Sequence, residues 1–415
     1  MPESPVAADL GFMREVNTEA ILERLRGTAQ MHVAELAGST GLSRQAVTRS
    51  LTRLRQMGLV EFLPPERSGK GSGRPAQPVR FRSEAGYTVG VFIDPHHIRI
   101  GLADLRGVII KSSAQTLTPS VDGGAAVEQL VDHLGDLLEE AGIGVEEVCA
   151  AAVGSPGIVD PAEGVIRLVP SMSGLTGDVV VRALGDHLGC QVYLDNDINL
   201  AAQGEQWHGV RRDDSTLVVV HWGERIGAGV LLNGTLYRGA TNDAGDLGFL
   251  DVVAEMDSPA VPGLGRFESW AGSTELVRLA RQELEQAGAA ERADALADTE
   301  DALEQVLAAI EGHDRACLAA LQKLAKRFAL GLGAVRALLD PHVVVLSGPM
   351  SRVGDVLLDA LGRAQEEHPL ELPELQVSTL GDDAVVHGAI RHCLNELEHS
   401  RYAPIRQRKP GVRIG

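Results

Sequence analysis

Between Leu194 and Glu205 the chain reads LDNDINLAAQGE, a carboxamide and two carboxylates set directly after an apolar strand and before a helix start. Asn196 can donate and accept at once, and Asp197 can accept from a hydroxyl or take its proton, so the pair suits a polyol. The run Gln191–Asp195, QVYLD, ends as a strand, and Asn199 begins a short helix whose Leu200, Ala201 and Ala202 form an apolar patch. The same letters also spell an Asx-rich turn with a helix cap, and on this stretch alone both readings stand.

A second set of chemistry-bearing residues lies near the N-terminus. Ser43 is placed to cap a helix, RQAVTRSLTRLRQM, that ends at Gly58, with Val47, Leu51 and Leu54 on one face. Arg44 opens it, and Gln45, Thr48, Arg49, Thr52 and Arg53 fall away from the apolar face. Such side chains behind a Ser cap read base edges and hold phosphates in a major groove. Two shorter helical patterns precede it, Asn17–Leu25 and His32–Ala37. After Gly58, LVEFL and VRFR alternate as strands around the loop PPERSGKGSGRPAQP, which reads as the wing of a winged helix. Within that loop Lys70 and Arg74 would touch backbone or minor groove, although Gly, Ser and Pro also compose flexible linkers.

Charge separates this end from the rest. The whole chain has 415 residues and net charge −19, yet residues 41–82 hold nine basic against two acidic side chains. An acidic protein with one compact basic end is built to place that end on an anion, nucleic acid first among them. Hydrophobic residues make up 44% and aromatic ones only 3%, which fits a globular protein with Ala, Leu and Val cores in two or three domains. There is no apolar run of membrane-spanning length, and the N-terminus lacks a basic region followed by an apolar core, so the cytoplasm is the expected compartment. Cys149, Cys190, Cys317 and Cys393 are scattered and suggest no disulfide framework.

From Tyr87 onward the text changes to β-branched strands, YTVGVFID, IRIGLADL and GVIIKSSAQT, then a helix over Gly123–Ala141. A comparable series starts at Ser215, with STLVVVHWG, GAGVLLNG and TLYRGA. The repetition predicts a duplicated α/β lobe with a cleft between the copies.

Three motifs, GSPGIVD at Gly154–Asp160, LDNDINLAAQGE, and IGAGVLLNGTLYRGATNDAGDLG at Ile226–Gly248, together resemble the repressor, open-reading-frame, kinase (ROK) family. So does the order of parts, a winged helix joined through Gly73-Arg74-Pro75 to the body, and the resemblance covers nearly all of residues 15–395. It implies an α/β fold with an N-terminal winged helix-turn-helix and a two-lobed, actin-like, sugar-kinase-like body. The corresponding division is 1–85 for the DNA-binding domain and its wing, 86–205 and 206–400 for the lobes, and 401–415 for a basic, disordered tail.

Departures from the family pattern separate its kinases from its regulators. Where kinases of the family carry an acidic residue and a Gly-Gly-Thr turn, this chain reads Asp94-Pro95-His96-His97, and its second phosphate loop reads Gly223-Glu224-Arg225-Ile226-Gly227. Nucleotide binding and phosphoryl transfer are therefore expected to be lost, with no cofactor. The family's zinc motif pairs a histidine with three cysteines; here Phe249 and GLGRFESWAG at Gly263–Gly272 stand in its place, and no metal is expected. By the resemblance, Ser155, Pro156, Gly157, Asn196, Asp197, Asp246 and Glu268 remain as candidate effector contacts, Asp246 replacing a longer glutamate.

The resulting expectation is a DNA-binding repressor, a homodimer or homotetramer, whose body senses a sugar or sugar derivative without phosphorylating it. Two rivals stay open, a sugar kinase carrying a DNA-binding domain, and a regulator whose vestigial body serves only oligomerisation.

Overall fold

Apolar periodicity and helix caps build the N-terminal unit. In a computed structural model describing residues 10–65, 77–118, 122–169, 172, 174–209, 216–252, 260–297, 299, 301–366, 371–400 and 402, helix α1 (Leu10–Arg26) is followed by β1 (Met31–His32), α2 (Val33–Thr40), α3 (Arg44–Gln56), β2 (Val60–Phe62) and β3 (Pro78–Phe81). The three strands form one antiparallel sheet in the order β1-β3-β2. Ile21, Leu25, Leu36, Val47, Leu51 and Leu54 are buried together, each contributing about 2 kcal/mol of apolar transfer. Both α1 and α2 are longer than their sequence patterns, since the letters of Gly38-Ser39-Thr40 continue the helix until Gly41 turns left-handed at φ 69°. Lys70 and Arg74 of the wing, and the basic tail apart from Tyr402, lie outside the described residues.

The body repeats one plan twice. Its first half runs β4 (Tyr87–Ile93), β5 (His97–Asp104), β6 (Ile109–Thr116), α4 (Gly123–Ala141), β7 (Val148–Ser155), the hairpin β8 (Ile158–Asp160) and β9 (Val165–Leu168), α5 (Val179–Leu188), β10 (Gln191–Asn196) and α6 (Asp197–His208). The second runs β11 (Leu217–Trp222), β12 (Ile226–Leu232), β13 (Thr235–Tyr237), α7 (Arg266–Ala271), α8 (Ser273–Gln286), α9 (Ala290–Ala295), α10 (Ala302–Glu311), α11 (Arg315–Leu339), β14 (Val343–Ser347), α12 (Gly354–Gln365), β15 (Glu374–Val377) and α13 (Asp383–His399). The sheets have strand orders β10-β7-β4-β5-β6 and β13-β12-β11-β14-β15. Each is an antiparallel meander of three strands extended by two parallel ones. This is the winged helix and two-lobed, sugar-kinase-like α/β body that the motifs implied.

The last helix of each half crosses to the other half. Helix α6 follows β10, yet its Ile198 and Ala202 pack on Leu217, Val219 and Leu231 of the second sheet. Helix α13 follows β15, yet it lies against β4, β5 and β7 of the first. The division at 205/206 read from the sequence assigns each helix mainly to the half it follows; in the fold they are exchanged. The two helices meet at Gly204 and Gly388, where a Cβ would run into the carbonyls of Ala384 and Leu200, so only glycine allows the approach. A chain this poor in aromatics fills its interior by bringing backbones close.

Local chemistry sets other boundaries. Helix α11 starts at Arg315, because Asp314 Oδ1 accepts the N–H groups of Ala316 and Cys317. The acidic stretch 289–311 forms two short helices, α9 and α10. Among the described residues no helix is long and apolar enough to cross a membrane.

The winged helix is not a bead on a thread. Its core and that of the first sheet with α13 form one apolar cluster, from Ile21 and Phe81 to Ile390, Leu394 and Leu397. Arg26 of α1 pairs with Glu398 of α13, its guanidinium 5.5 Å from the Phe81 ring centre and 5.4 Å from that of Tyr402. Arg106, in the turn after β5, donates to the Thr28 carbonyl at 3.4 Å.

Candidate functional site

Two surfaces gather the candidate residues. On α3 the Ser43 hydroxyl oxygen accepts the Ala46 N–H at 3.2 Å and so caps the helix. Ser43, Arg44, Gln45, Thr48, Arg49 and Thr52 are exposed on the face opposite Val47, Leu51 and Leu54, while Arg53 is half-buried. The hydroxyls of Thr48 and Thr52 donate to the carbonyls four residues earlier, which leaves their methyl groups and oxygen lone pairs outward. Arg55, which the sequence reading did not single out, lies over the Phe62 ring at 5.6 Å and is also exposed.

The second surface is the cleft between the lobes, at the carboxyl ends of the parallel strands β7 and β10, where Ser155 stands opposite Asn196. Asn196 is the N-cap of α6: its carboxamide oxygen accepts the Ile198 N–H at 3.1 Å and its nitrogen donates to the Gly157 carbonyl at 3.1 Å. The helix therefore starts at Asp197, two residues before Asn199, where the sequence pattern had put its start. Asp197 Oδ1 accepts the same Ile198 N–H at 2.8 Å. Burial pushes the Asp197 carboxyl above the ordinary aspartate range, and nearby Asp94 adds to this, while His221 and the Ile198 N–H oppose it.

From the second lobe come Asp246 and Glu268. Gly245 turns the chain toward Asp246 with φ 101°, and a Cβ there would meet the Ala228 carbonyl. Asp246 is exposed, and the partial burial of its carboxyl, with Asp243 and Glu268 nearby, pushes it upward. Glu268 is buried, and its two oxygens take the Ile226 N–H at 3.0 Å and the Gly265 N–H at 2.7 Å. Ser155 is also fully buried, its hydroxyl donating to the Pro156 carbonyl at 3.1 Å, whereas Pro156 and Gly157 are half-buried. Phe249, in the position the family gives to histidine, is 65% exposed beside this loop.

Sequence reasoning passed over the residue that holds the two lobes together here. Asp195 is 1% exposed and accepts from Arg238 Nη1 at 2.7 Å and Nη2 at 2.5 Å. It also takes the Asn196 N–H at 2.8 Å, and Asn242 reaches across to the Val159 carbonyl at 3.2 Å. The only signal was an unexplained carboxylate at the end of an apolar strand. His387 and His392 serve packing, edge-on to the rings of His208 and Tyr193 at 5.0 and 5.2 Å. Burial lowers both imidazoles, and it pushes the Tyr193 phenol up to about 12.

The ROK family profile matches residues 88–395. This chain belongs to the ROK family. A winged helix-turn-helix DNA-binding profile matches residues 14–61, and with it the chain is a DNA-binding regulator of that family. A xylose repressor of Caldicellulosiruptor bescii is 22% identical over 93% of this chain and 97% of its own length. A glucokinase of Halalkalibacterium halodurans is 26% identical over 72% of this chain and 92% of its own. Among solved structures, a ROK family transcriptional regulator homologous to the E. coli MLC protein superposes with TM-score 0.77 at 17% identity, covering 95% of this chain and all of that one. The regulator-type relatives span both the winged helix and the body, whereas the glucokinase match covers a smaller share of this chain.

Proposed function

We propose that this ROK protein is a sugar-responsive repressor that binds operator DNA as a homodimer or homotetramer, works in the cytoplasm and transfers no phosphoryl group. The observation that carries the reading is the shared apolar core: the exposed Arg, Gln and Thr face of α3 belongs to a unit packed directly on α13, which crosses α6 a few turns from Asp197. A polyol seated against Asp197, Asp246 and the Ser155-Pro156-Gly157 turn would bridge the two lobes. It would thereby favour one lobe arrangement over another, which is what a ligand needs to change DNA affinity. The xylose and glucose in the names of relatives make those sugars the first to try.

Against phosphoryl transfer stands the turn Asp94-Pro95-His96-His97, in which a proline and two imidazoles occupy the family's small-residue turn. Thermal unfolding with D-xylose, D-glucose and ATP, paired with DNA retention on fragments selected from the source genome, tests the reading. A sugar that raises the melting temperature and changes DNA retention, both lost in Asp197→Ala, is the expected result. Sugar-dependent ATP hydrolysis would overturn it in favour of the kinase.

A further inference from the structure

After Tyr402 the sequence runs APIRQRKPGVRIG, with four basic side chains and no acidic one in thirteen residues. In a chain of net charge −19 such a stretch needs an anion to lie on, and its starting point decides which one it can reach. It starts at the winged helix. Helix α13 ends at His399, and the Tyr402 N–H donates to the Leu397 carbonyl at 2.7 Å. The Tyr402 backbone is left-handed, φ 56°, a conformation that a bulky residue keeps only when its surroundings hold it. Its ring is 3% exposed, in one apolar cluster with Ile21 and Phe81, and the Arg26 guanidinium lies 5.4 Å from its centre and 5.5 Å from that of Phe81. Phe81 pairs with Val60 across the small sheet, and Arg82 beside it donates to the Gly58 carbonyl at 3.2 Å, so Tyr402 stands on the side of the unit where α3 ends.

Reach and charge then select the partner. From its carboxyl end to the Ser43 cap, α3 with its thirteen residues measures about 20 Å. Thirteen residues of chain span up to about 45 Å when extended, more than enough to pass the length of α3. Residues 41–82 hold nine basic and two acidic side chains, so they repel a basic segment that begins beside them unless an anion lies between the two. The DNA bound by α3 is that anion. We infer that the residues after Tyr402 are a second DNA contact, with Arg406, Arg408, Lys409 and Arg413 on phosphates flanking the stretch that α3 reads, and with Tyr402 as their anchor on the winged helix. Phosphate contacts of this kind add affinity and carry no sequence information. The inference rests on DNA binding by the winged helix and is independent of any sugar.

The test replaces Arg406, Arg408, Lys409 and Arg413 together by glutamine in the full-length protein. Gel shifts on a selected genomic fragment and on an unrelated fragment of equal length are followed between about 50 and 300 mM salt. Affinity for both fragments should fall by about tenfold or more at the low-salt end, and the slope of log affinity against log salt should flatten by about 2 or more, each phosphate contact being worth about 0.9. A chain ending at Tyr402 should show the same losses, and melting temperatures equal to wild type in both variants separate lost contacts from a lost fold. Unchanged affinity and slope would overturn the inference. So would tighter binding by the glutamine variant, which would put the segment on the acidic body in competition with DNA. A loss confined to the selected fragment would overturn it too, because that is base readout. Arg49→Ala should weaken binding in every one of these cases, so a failed second contact is told apart from a failed recognition helix.

Discussion

Arg238, at the end of a strand in the second lobe, grips Asp195 of the first through two N–H···O bonds of 2.7 and 2.5 Å. The carboxylate is buried and the guanidinium is 31% exposed, so the pair is unequal: removing the arginine strands a charge in the interior. Arg238→Met should lower unfolding free energy by about 3 kcal/mol, the bottom of the range for broken buried pairs because of that exposure. Urea denaturation measures this. Arg238→Lys should recover only part of it, since an ammonium cannot make the two-pronged contact. Equal stability of Arg238→Met and wild type would show that the lobes are held by packing alone.

Acidity should stabilise the cleft through Asp197. A carboxyl whose folded value is raised gives stability that is fully present below the unfolded value, near pH 4, and lost as pH rises through the folded value. Asp197→Asn should therefore melt higher than wild type at about pH 7, with the gap closing as the pH falls to about 4. His387 and His392, held low by burial, act in the opposite sense, losing stability as pH falls from about 6.5. The difference between variant and wild type isolates the aspartate, and a gap that does not change with pH would count against its raised value.

For α3, Arg49→Ala should cost about 1 to 3 kcal/mol of affinity for selected genomic DNA, read by gel shift at fixed salt. Ser43→Ala acts by another route, removing the cap on Ala46 N–H, and should cost about 1 kcal/mol of fold stability as well as DNA affinity. If Arg49→Ala binds as wild type does, α3 does not lie in the groove.

At the crossing of α6 and α13, Gly388→Leu should destabilise by about 3 kcal/mol or more, because the added side chain meets the Leu200 backbone rather than a movable group. Gly381→Ala, where nothing lies within 4 Å but φ is 56°, should cost about 1 kcal/mol for backbone strain alone. Thermal melts of the two variants separate crowding from conformation.

How much of this could be read from the letters depends on how far apart the partners lie. Ser43, Val47, Leu51 and Leu54 are within one helix, so cap and period announced α3. The two strand series were legible because each alternates or runs apolar over a short window. Of the two readings of Asn196 the structure displays the cap: its oxygen takes the Ile198 N–H, and its nitrogen goes to the Gly157 carbonyl. By contrast, the partner of Asp195 is forty-three residues away, and no local pattern links them. The exchange of α6 and α13 was equally hidden, because a helix rich in Ala and Gly shows apolar positions on several sides without saying which sheet each will face. Glu268 illustrates the limit of motif matching: its position suggested a ligand contact, yet in the fold both oxygens hold backbone amides.

The cluster that runs from Ile21 through Phe81 to Leu397 gives the reading head a fixed bearing on the molecule beneath it. A head on a slack tether searches every angle, and its aim is set only when DNA is found. Here the aim is set during folding, by the same packing that closes the first sheet. Residues such as Ala389 or Cys393, buried and far from α3, are therefore part of how this protein addresses DNA. A substitution there that leaves the protein folded but turned by a few degrees would change how the head meets the duplex.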